Sequence, residues 1–278
     1  MGIHRYHALG NDYLVAEAHD FAGRPAAQAV RLLCNRHRGV GGDGLLLWDS
    51  TAQPPFALKI FNPDGSLAEK SGNGLRIFAR HLAHCGLVSE APFTILTDGG
   101  PALAMVRSDG SVEVDLGPPQ FEFSRIPCSA PPAWPLLWRQ GSDVLQVYPV
   151  GMGNPHAVLF RESLTESEVL SLGPLLERHA WFRNRTNVQF CRVIGRRRVE
   201  LSIWERGVGR TAASGTSAAA CVAVGMRLGL LTSPVLVEMA GGTLQVEETA
   251  EGTMRIRGPV TRIGECLISD EMWSCADV

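Results

Sequence analysis

Ser71-Gly72-Asn73-Gly74 opens a stretch running to Cys85 in which Leu75, Phe78, Leu82 and Cys85 recur at helical spacing, with Gly86 suited to the C-terminal cap. The same opening returns 143 positions later as Ser214-Gly215-Thr216-Ser217, again ahead of an apolar run. Two further pairs share that offset of 143: Gly10-Asn11 with Gly153-Asn154, and Ile60-Phe61-Asn62 with Ile203-Trp204-Glu205. Coincident offsets are the signature of an internal duplication. Each half then holds an aromatic-ended strand, a Gly-containing turn and a Ser-Gly step into an apolar helix. If the halves face each other about a pseudo-twofold axis, the two helix starts point into one cleft.

Outward from these motifs, the pattern is mixed α/β. Pro25 and the Ala, Val and Leu spacing over 26–37 predict a helix, which the glycines of 39–44 break before the buried strand Leu45 to Trp48. Thr165-x-x-Glu168 is a capping box at the start of another helix. Period-two segments at 56–61, 111–116, 199–204, 244–247 and 254–257 predict strands. Prolines 118, 119, 127, 131, 132 and 135 suit a segment crossing between domains better than a strand interior.

Composition narrows the function classes. The 278 residues carry 26 Lys+Arg against 28 Asp+Glu, a net charge of −2, which argues against a nucleic-acid or anionic-membrane binder. The one dense basic run, Arg196-Arg197-Arg198, reads as a solvated turn. With 45% hydrophobic and 19% charged residues, the chain has material for a large core. Residues Met1 to Gly10 place His and Arg where a signal peptide needs an apolar run, and Thr211 to Met226 is too short and too rich in small polar residues to span a membrane. A cytoplasmic protein is expected. The seven cysteines form no Cys-x-x-Cys pair, so reduced buried thiols are expected. His81, His84 and Cys85 share a helix face as metal ligands would, but a surface with two solvated histidines explains the spacing more simply.

A helix N-terminus favours an anion, and two of them could grip one carboxylate. Serine alone is a common N-cap worth about 1 kcal/mol, so it is the matched pair that points to function. Moving a proton from one face of a chiral centre to the other requires an acid/base group on each side and a fixed carboxylate where charge develops. Asn11, Asn62, Asn154, Asn187, Glu205 and Arg206 stand at turns beside the repeated motifs and could bind a zwitterionic head group. Gly39-Val-Gly41-Gly42-Asp43-Gly44 fits G-x-G-x-x-G, yet a helix precedes it and a strand follows it, the reverse of the dinucleotide context. Lys70 adjoins Ser71, but chain neighbours rarely aim side chains at each other, which weakens a Ser-Lys hydrolase dyad.

The chain resembles the diaminopimelate epimerase family. The resemblance is carried by Leu9-Gly10-Asn11-Asp12, Arg36-His37-x-Gly39-Val-Gly-x-Asp43-Gly44, Phe61-Asn62-x-Asp64-Gly65-Ser66, Gly72-Asn73-Gly74, Gly153-Asn154-Pro155-His156, Arg185-Thr186-Asn187, Glu205-Arg206-Gly207-x-Gly209 and Gly215-Thr216. It implies two similar pseudo-symmetric α/β domains, each a curled, mainly antiparallel sheet around a central helix, with the active site in the interdomain cleft. The expected domains are 1–117 with 261–278, and 118–260. It also implies a cofactor-independent isomerase of lysine and peptidoglycan synthesis, interconverting LL- and meso-diaminopimelate. Asn11, Asn62, Asn154, Asn187, Glu205 and Arg206 would bind the distal end of the substrate. The Gly72-Asn73 and Gly215-Thr216 backbones would hold the reacting carboxylate, with His156 near the bases.

The family's two bases are cysteines, whereas this chain has Ser71 and Ser214. An alcohol is a far weaker acid than a thiol. Arg210, where the family usually has Glu, and Lys70 add positive charge beside the base positions; they either lower the serines' proton affinity, receive a further anionic group, or are solvated charges without a role. The first expectation is therefore an isomerase with Ser71 and Ser214 as the bases, with no cofactor, metal, nucleic acid or membrane partner, and with a homodimer left open. The alternatives are an isomerase of another amino or carboxylic acid, with His156, Glu205 or Lys70 as base, and an amino-acid-binding homologue without turnover.

Overall fold

The computed structural model describes residues 2–21, 26–51, 54–129 and 133–274. Met1, Pro25, Pro131, Pro132 and Cys275, used in the readings above, lie outside them. In chain order the elements are β1 (Gly2–Ala8), β2 (Asn11–Glu17), a 3-10 turn (Ala18–Phe21), α1 (Ala26–Cys34), β3 (Leu45–Trp48), β4 (Phe56–Phe61), β5 (Leu67–Ala68), α2 (Gly72–His84), β6 (Phe93–Thr97), β7 (Gly100–Val106), β8 (Val112–Asp115), β9 (Leu136–Gln140), β10 (Asp143–Gly151), β11 (Pro155–Phe160), α3 (Glu166–Glu177), β12 (Asn187–Gly195), β13 (Arg198–Glu205), β14 (Gly209–Thr211), α4 (Gly215–Arg227), β15 (Val235–Met239), β16 (Gly242–Glu248), β17 (Met254–Gly258), β18 (Thr261–Leu267) and α5 (Asp270–Ser274). They form two compact units, one of Met1–Val114 with Gly258–Val278 and one of Asp115–Arg257.

In the first unit β1 lies antiparallel between β18 and β2, β2 runs parallel to β3, and β4 is antiparallel to β3 and β5 but parallel to β6, which pairs antiparallel with β7. The second unit repeats that order step by step. There β10 lies antiparallel between β9 and β11, β11 runs parallel to β12, and β13 is antiparallel to β12 and β14 but parallel to β15, which pairs antiparallel with β16. The registers correspond too: Leu14 opposes Leu45 as Ala157 opposes Val188, and Phe61 opposes Leu67 as Trp204 opposes Arg210.

Strand alternation assigns each sheet two faces. In the second unit Ala157, Leu159, Val188 and Phe190 pack with Val169 and Leu176 of α3. The intervening His156, Val158, Gln189 and Cys191 are buried on the other side, where α4 is buried on every residue from Gly215 to Gly225. A helix apolar all round must be enclosed, and α4 packs on β10, β11, β12, β13 and β16. In the first unit Leu14, Ala16 and Leu45 join α1 in one core, while α2 packs on β1, β2 and β7.

Several local expectations are corrected. α1 stops at Cys34 rather than near His37, because Asn35 Oδ1 accepts the His37 and Arg38 N–H groups and gives the backbone a turn in place of helical bonds. Thr165 caps α3 by accepting the Glu168 N–H at 3.3 Å, but the Glu168 carboxylate pairs with Arg161 at 2.8 Å, so half of the capping box forms. Within the second unit, which begins at Asp115, Gln120 bridges Gly151 and Cys128 bridges Phe182. His81 is not solvated: it is buried, its Nδ1 meets the Tyr6 hydroxyl at 3.2 Å, and burial pushes its pKa down to about 3. The described cysteines are free thiols, yet only Cys34, Cys191 and Cys221 are buried; Cys128 and Cys266 are half-buried and Cys85, at the end of α2, is exposed. In the basic run, Arg196 and Arg197 form an exposed turn, and Arg198 begins β13 with an ion pair to Glu238 at 2.8 Å.

Candidate active site

The two helix starts have nearly the same local geometry. Ser71 caps α2 with φ −136° and ψ 117°, its Oγ accepting the Gly74 N–H at 3.0 Å. Ser214 caps α4 with φ −147° and ψ 124°, its Oγ accepting the Ser217 N–H at 3.5 Å. Both caps have the extended backbone that an N-cap requires. Space is tight after Ser71: a Cβ at Gly74 would lie 3.1 Å from Leu46 Cδ2 and 3.2 Å from Ser71 Cβ.

In the first unit a polar chain runs from this helix start. Arg76, fully buried, donates to Asn73 Oδ1 at 2.7 Å and to the Pro259 carbonyl at 3.2 Å, while its Nε has no partner. Burial lowers its pKa to about 9. Asn73 Nδ2 donates to Asn11 Oδ1 at 3.0 Å, and Asn11 Nδ2 donates to Asp43 Oδ2 at 2.8 Å. Asp43 also accepts the Asp12 N–H at 3.1 Å and pairs with Arg36 at 2.8 Å. Asp12 sits between Arg5 and Arg36; burial alone would raise its pKa, but hydrogen bonds from Arg36 and Arg5 hold it below the usual carboxylate range. The Gly-rich loop thus serves to hold Asn11 through Asp43. Asn62 is apart from this chain, donating to Ser66 Oγ at 3.0 Å within its own turn. Lys70 is buried, with Nζ 3.4 Å from the Pro101 carbonyl.

In the second unit His156 is fully buried, with both ring nitrogens engaged. Nε2 donates to Asn154 Oδ1 at 2.7 Å, and Nδ1 accepts from Gln189 Nε2 at 3.0 Å. Burial, then the nearby Arg206 charge, pushes its pKa down to about 3, so the ring is neutral. Gln189 also donates to Ser217 Oγ at 3.0 Å, joining this group to the start of α4, and Thr216 Oγ1 lies 3.5 Å from Ser214 Oγ. Asn187 is held by backbone on both sides, donating to the Pro155 carbonyl at 3.0 Å and accepting the Arg206 N–H at 2.9 Å. Buried Glu177 accepts the Gly207 N–H and the Trp204 indole N–H, each at 3.0 Å. Asn187 and Glu177 together fasten the Glu205-Arg206 turn. Arg210 pairs with Glu166 at 3.4 Å and donates to the Thr211 carbonyl at 2.7 Å.

The structure therefore groups Asn11 with Asn73, Asn154 with His156, and Asn187 with Arg206. Sequence reasoning missed Asp43, Gln189, Ser217, Arg76 and Glu177 as supports. Alternation was a usable signal for Gln189, because β11 and β12 run parallel with His156 opposite Asn187. Among the described residues no cluster of three or more His, Cys, Asp and Glu could hold a metal ion, and no helix is long and apolar enough to cross a membrane.

The family model described as diaminopimelate epimerase matches residues 4–122 and 148–263. Diaminopimelate epimerase 2 of a Nostoc species is 37% identical over 282 residues, covering 100% of this chain and 99% of that protein. The diaminopimelate epimerase of Halorhodospira halophila is 40% identical over 273 residues, covering 95% and 93%. Among solved structures, a probable proline racemase from Agrobacterium radiobacter is similar with a TM-score of 0.74 at 14% identity, covering 97% of this chain and 93% of that one. A hydroxyproline epimerase from Agrobacterium vitis gives a TM-score of 0.69 at 15% identity, covering 99% and 97%. These two likenesses speak to the fold. The identities above 30% over nearly the whole length speak to descent: the chain belongs to the diaminopimelate epimerase family and is an isomerase of the amino-acid epimerase type.

Proposed function

We propose that this protein interconverts LL- and meso-diaminopimelate by cofactor-independent proton transfer at the α-carbon, with Ser71 and Ser214 as the two proton-transferring groups. The observation that carries the reading is the matched pair of serine caps, equivalent in sequence offset, backbone angles and sheet context. The reaction requires those oxygens to act on opposite faces of one carbon, with the carboxylate held by the first-turn backbone at Gly72-Asn73 and Gly215-Thr216. Asn11, Asn62, Asn154, Glu205 and Arg206 would receive the distal amino-acid end, with Asn187 acting through the turn it fastens. His156, neutral and bonded at both nitrogens, supports Asn154 and is a poor candidate for a base. In this reading the protein serves lysine and peptidoglycan synthesis in the cytoplasm.

The test is solvent deuterium incorporation at the α-carbon of LL-diaminopimelate. Exchange by the native chain, rising at least about tenfold in Ser71→Cys/Ser214→Cys because a thiol gives up its proton far more readily, supports the reading. A second reading is favoured by the hydroxyls standing where the family has thiols: an isomerase of another amino or carboxylic acid, or a homologue that binds without turnover. Calorimetric binding of diaminopimelate without exchange in either protein would favour the binding homologue. Absence of binding would point to a different substrate.

A further inference from the structure

Tyr13 lies on β2, 6% exposed, with its hydroxyl 3.3 Å from Ser71 Oγ. The same oxygen accepts the Gly74 N–H at 3.0 Å. The ring is closely seated: a Cβ at Gly44 would come within 2.5 Å of both Tyr13 Cε1 and the Phe61 carbonyl oxygen, so only glycine leaves the ring this place. A second observation comes from the duplication. Since Leu14 opposes Leu45 as Ala157 opposes Val188, Tyr13 occupies in the first unit the position that His156 occupies in the second. Leu14 and Ala16 belong to the core against α1, which puts Tyr13 on the opposite face of β2, as His156 is on the opposite face of β11 from Ala157. Both units thus place a ring with a hydrogen-bonding group on the same strand position, and in the first unit its hydroxyl reaches the serine.

We propose that Tyr13 is a positioning residue for Ser71, its phenolic hydroxyl donating to the serine oxygen so that the negative charge developing there is stabilised as the Ser71 proton passes to the α-carbanion of the substrate. This rests on Ser71 transferring a proton in the reaction above. With Gly74 N–H and Tyr13 as donors, Ser71 Oγ has two hydrogen bonds that strengthen as negative charge develops on it. Its own proton is then turned away from the cap. A thiolate is stable enough to dispense with the second donor, whereas an alkoxide is not. The phenol therefore compensates in part for the weaker acid at this position.

The experiment compares Tyr13→Phe in the native chain and in the Ser71→Cys/Ser214→Cys background, reading deuterium incorporation into diaminopimelate. The expected result in the serine protein is a fall in kcat of about tenfold or more with KM within about twofold, and in the cysteine background a fall below about threefold. Equal losses in the two backgrounds, which a packing role would produce, or a loss under about twofold in the serine protein, would overturn the proposal. A second measurement is independent of substrate. The chain has three tyrosines, Tyr6, Tyr13 and Tyr148, so carbon-13 labelling at the ring carbon bearing oxygen yields three resolvable signals. Ser71→Ala should move the Tyr13 signal and leave the other two. An unmoved signal overturns the proposal whatever the substrate; a moved one in a chain that exchanges no deuterium supports the contact and sinks the assignment of the reaction.

Discussion

At the scale of single residues, burial decides which charges survive. His156 and His81 both have pKa values pushed down to about 3 by burial, against 6.5 for a free imidazole. Between those limits the unfolded chain binds protons that the native chain does not, so stability is complete above pH 6.5 and falls as pH drops through that window. At pH 5 each histidine costs about 2 kcal/mol. His156→Gln should flatten the loss of stability between pH 7 and 5, measured by urea unfolding at both pH values; an unchanged slope would show that His156 is protonated in the fold. Asp12 keeps its charge where the histidines lose theirs, since its carboxylate is the shared acceptor for Arg5 and Arg36, and its lowered pKa likewise makes its contribution fall as pH drops. Asp12→Asn should cost about 2–4 kcal/mol by leaving two guanidinium groups short of a partner, and a cost below 1 kcal/mol would contradict that account.

Elements set where the turns lie. α3 packs on β13 through Gly173, where an added Cβ would stand 2.7 Å from Trp204 Cγ and 2.8 Å from Trp204 Cβ. Those atoms are close to the backbone and cannot swing aside. Gly173→Ala should therefore lift α3 from the sheet at a cost of about 1–3 kcal/mol, read from chemical denaturation. Because Glu177 on the same helix holds the Gly207 N–H, hydrogen exchange at residues 205–207 should quicken as well. Loss of stability without faster exchange there would separate the packing from the turn. Much of this level was legible beforehand. The helix starts at Ser71 and Ser214 follow from a cap residue preceding an apolar run, and β4, β8, β13, β16 and β17 from period-two alternation, whereas strands buried on both faces such as β2, β11 and β12 carry no such alternation. Apolar spacing carries α1 past its true end because it does not register the Asn35 side chain competing for backbone N–H groups.

Across the whole molecule, the return of the chain after Arg257 completes the first unit. β18 pairs with β1 from Gly2 opposite Leu267 to His7 opposite Thr261, and the Pro259 carbonyl accepts from buried Arg76. Ending the chain after Arg257 should strip protection from β1, β2 and α2 in hydrogen exchange while β9 to β16 keep theirs; uniform loss across the chain would mean the units do not fold as separate bodies. The sequence by itself determined the duplication, the α/β class, the serine caps and the family, because these reside in spacing and in residues whose backbone preferences are local. Only the tertiary structure decided that Asp43 serves Asn11, that Gln189 joins His156 to the start of α4, that Asn187 bonds the Pro155 carbonyl and the Arg206 N–H, and that Tyr13 meets Ser71. Those partners lie tens of residues apart along the chain, and a hydrogen bond depends on distance in space, which strand register supplies and local propensity does not.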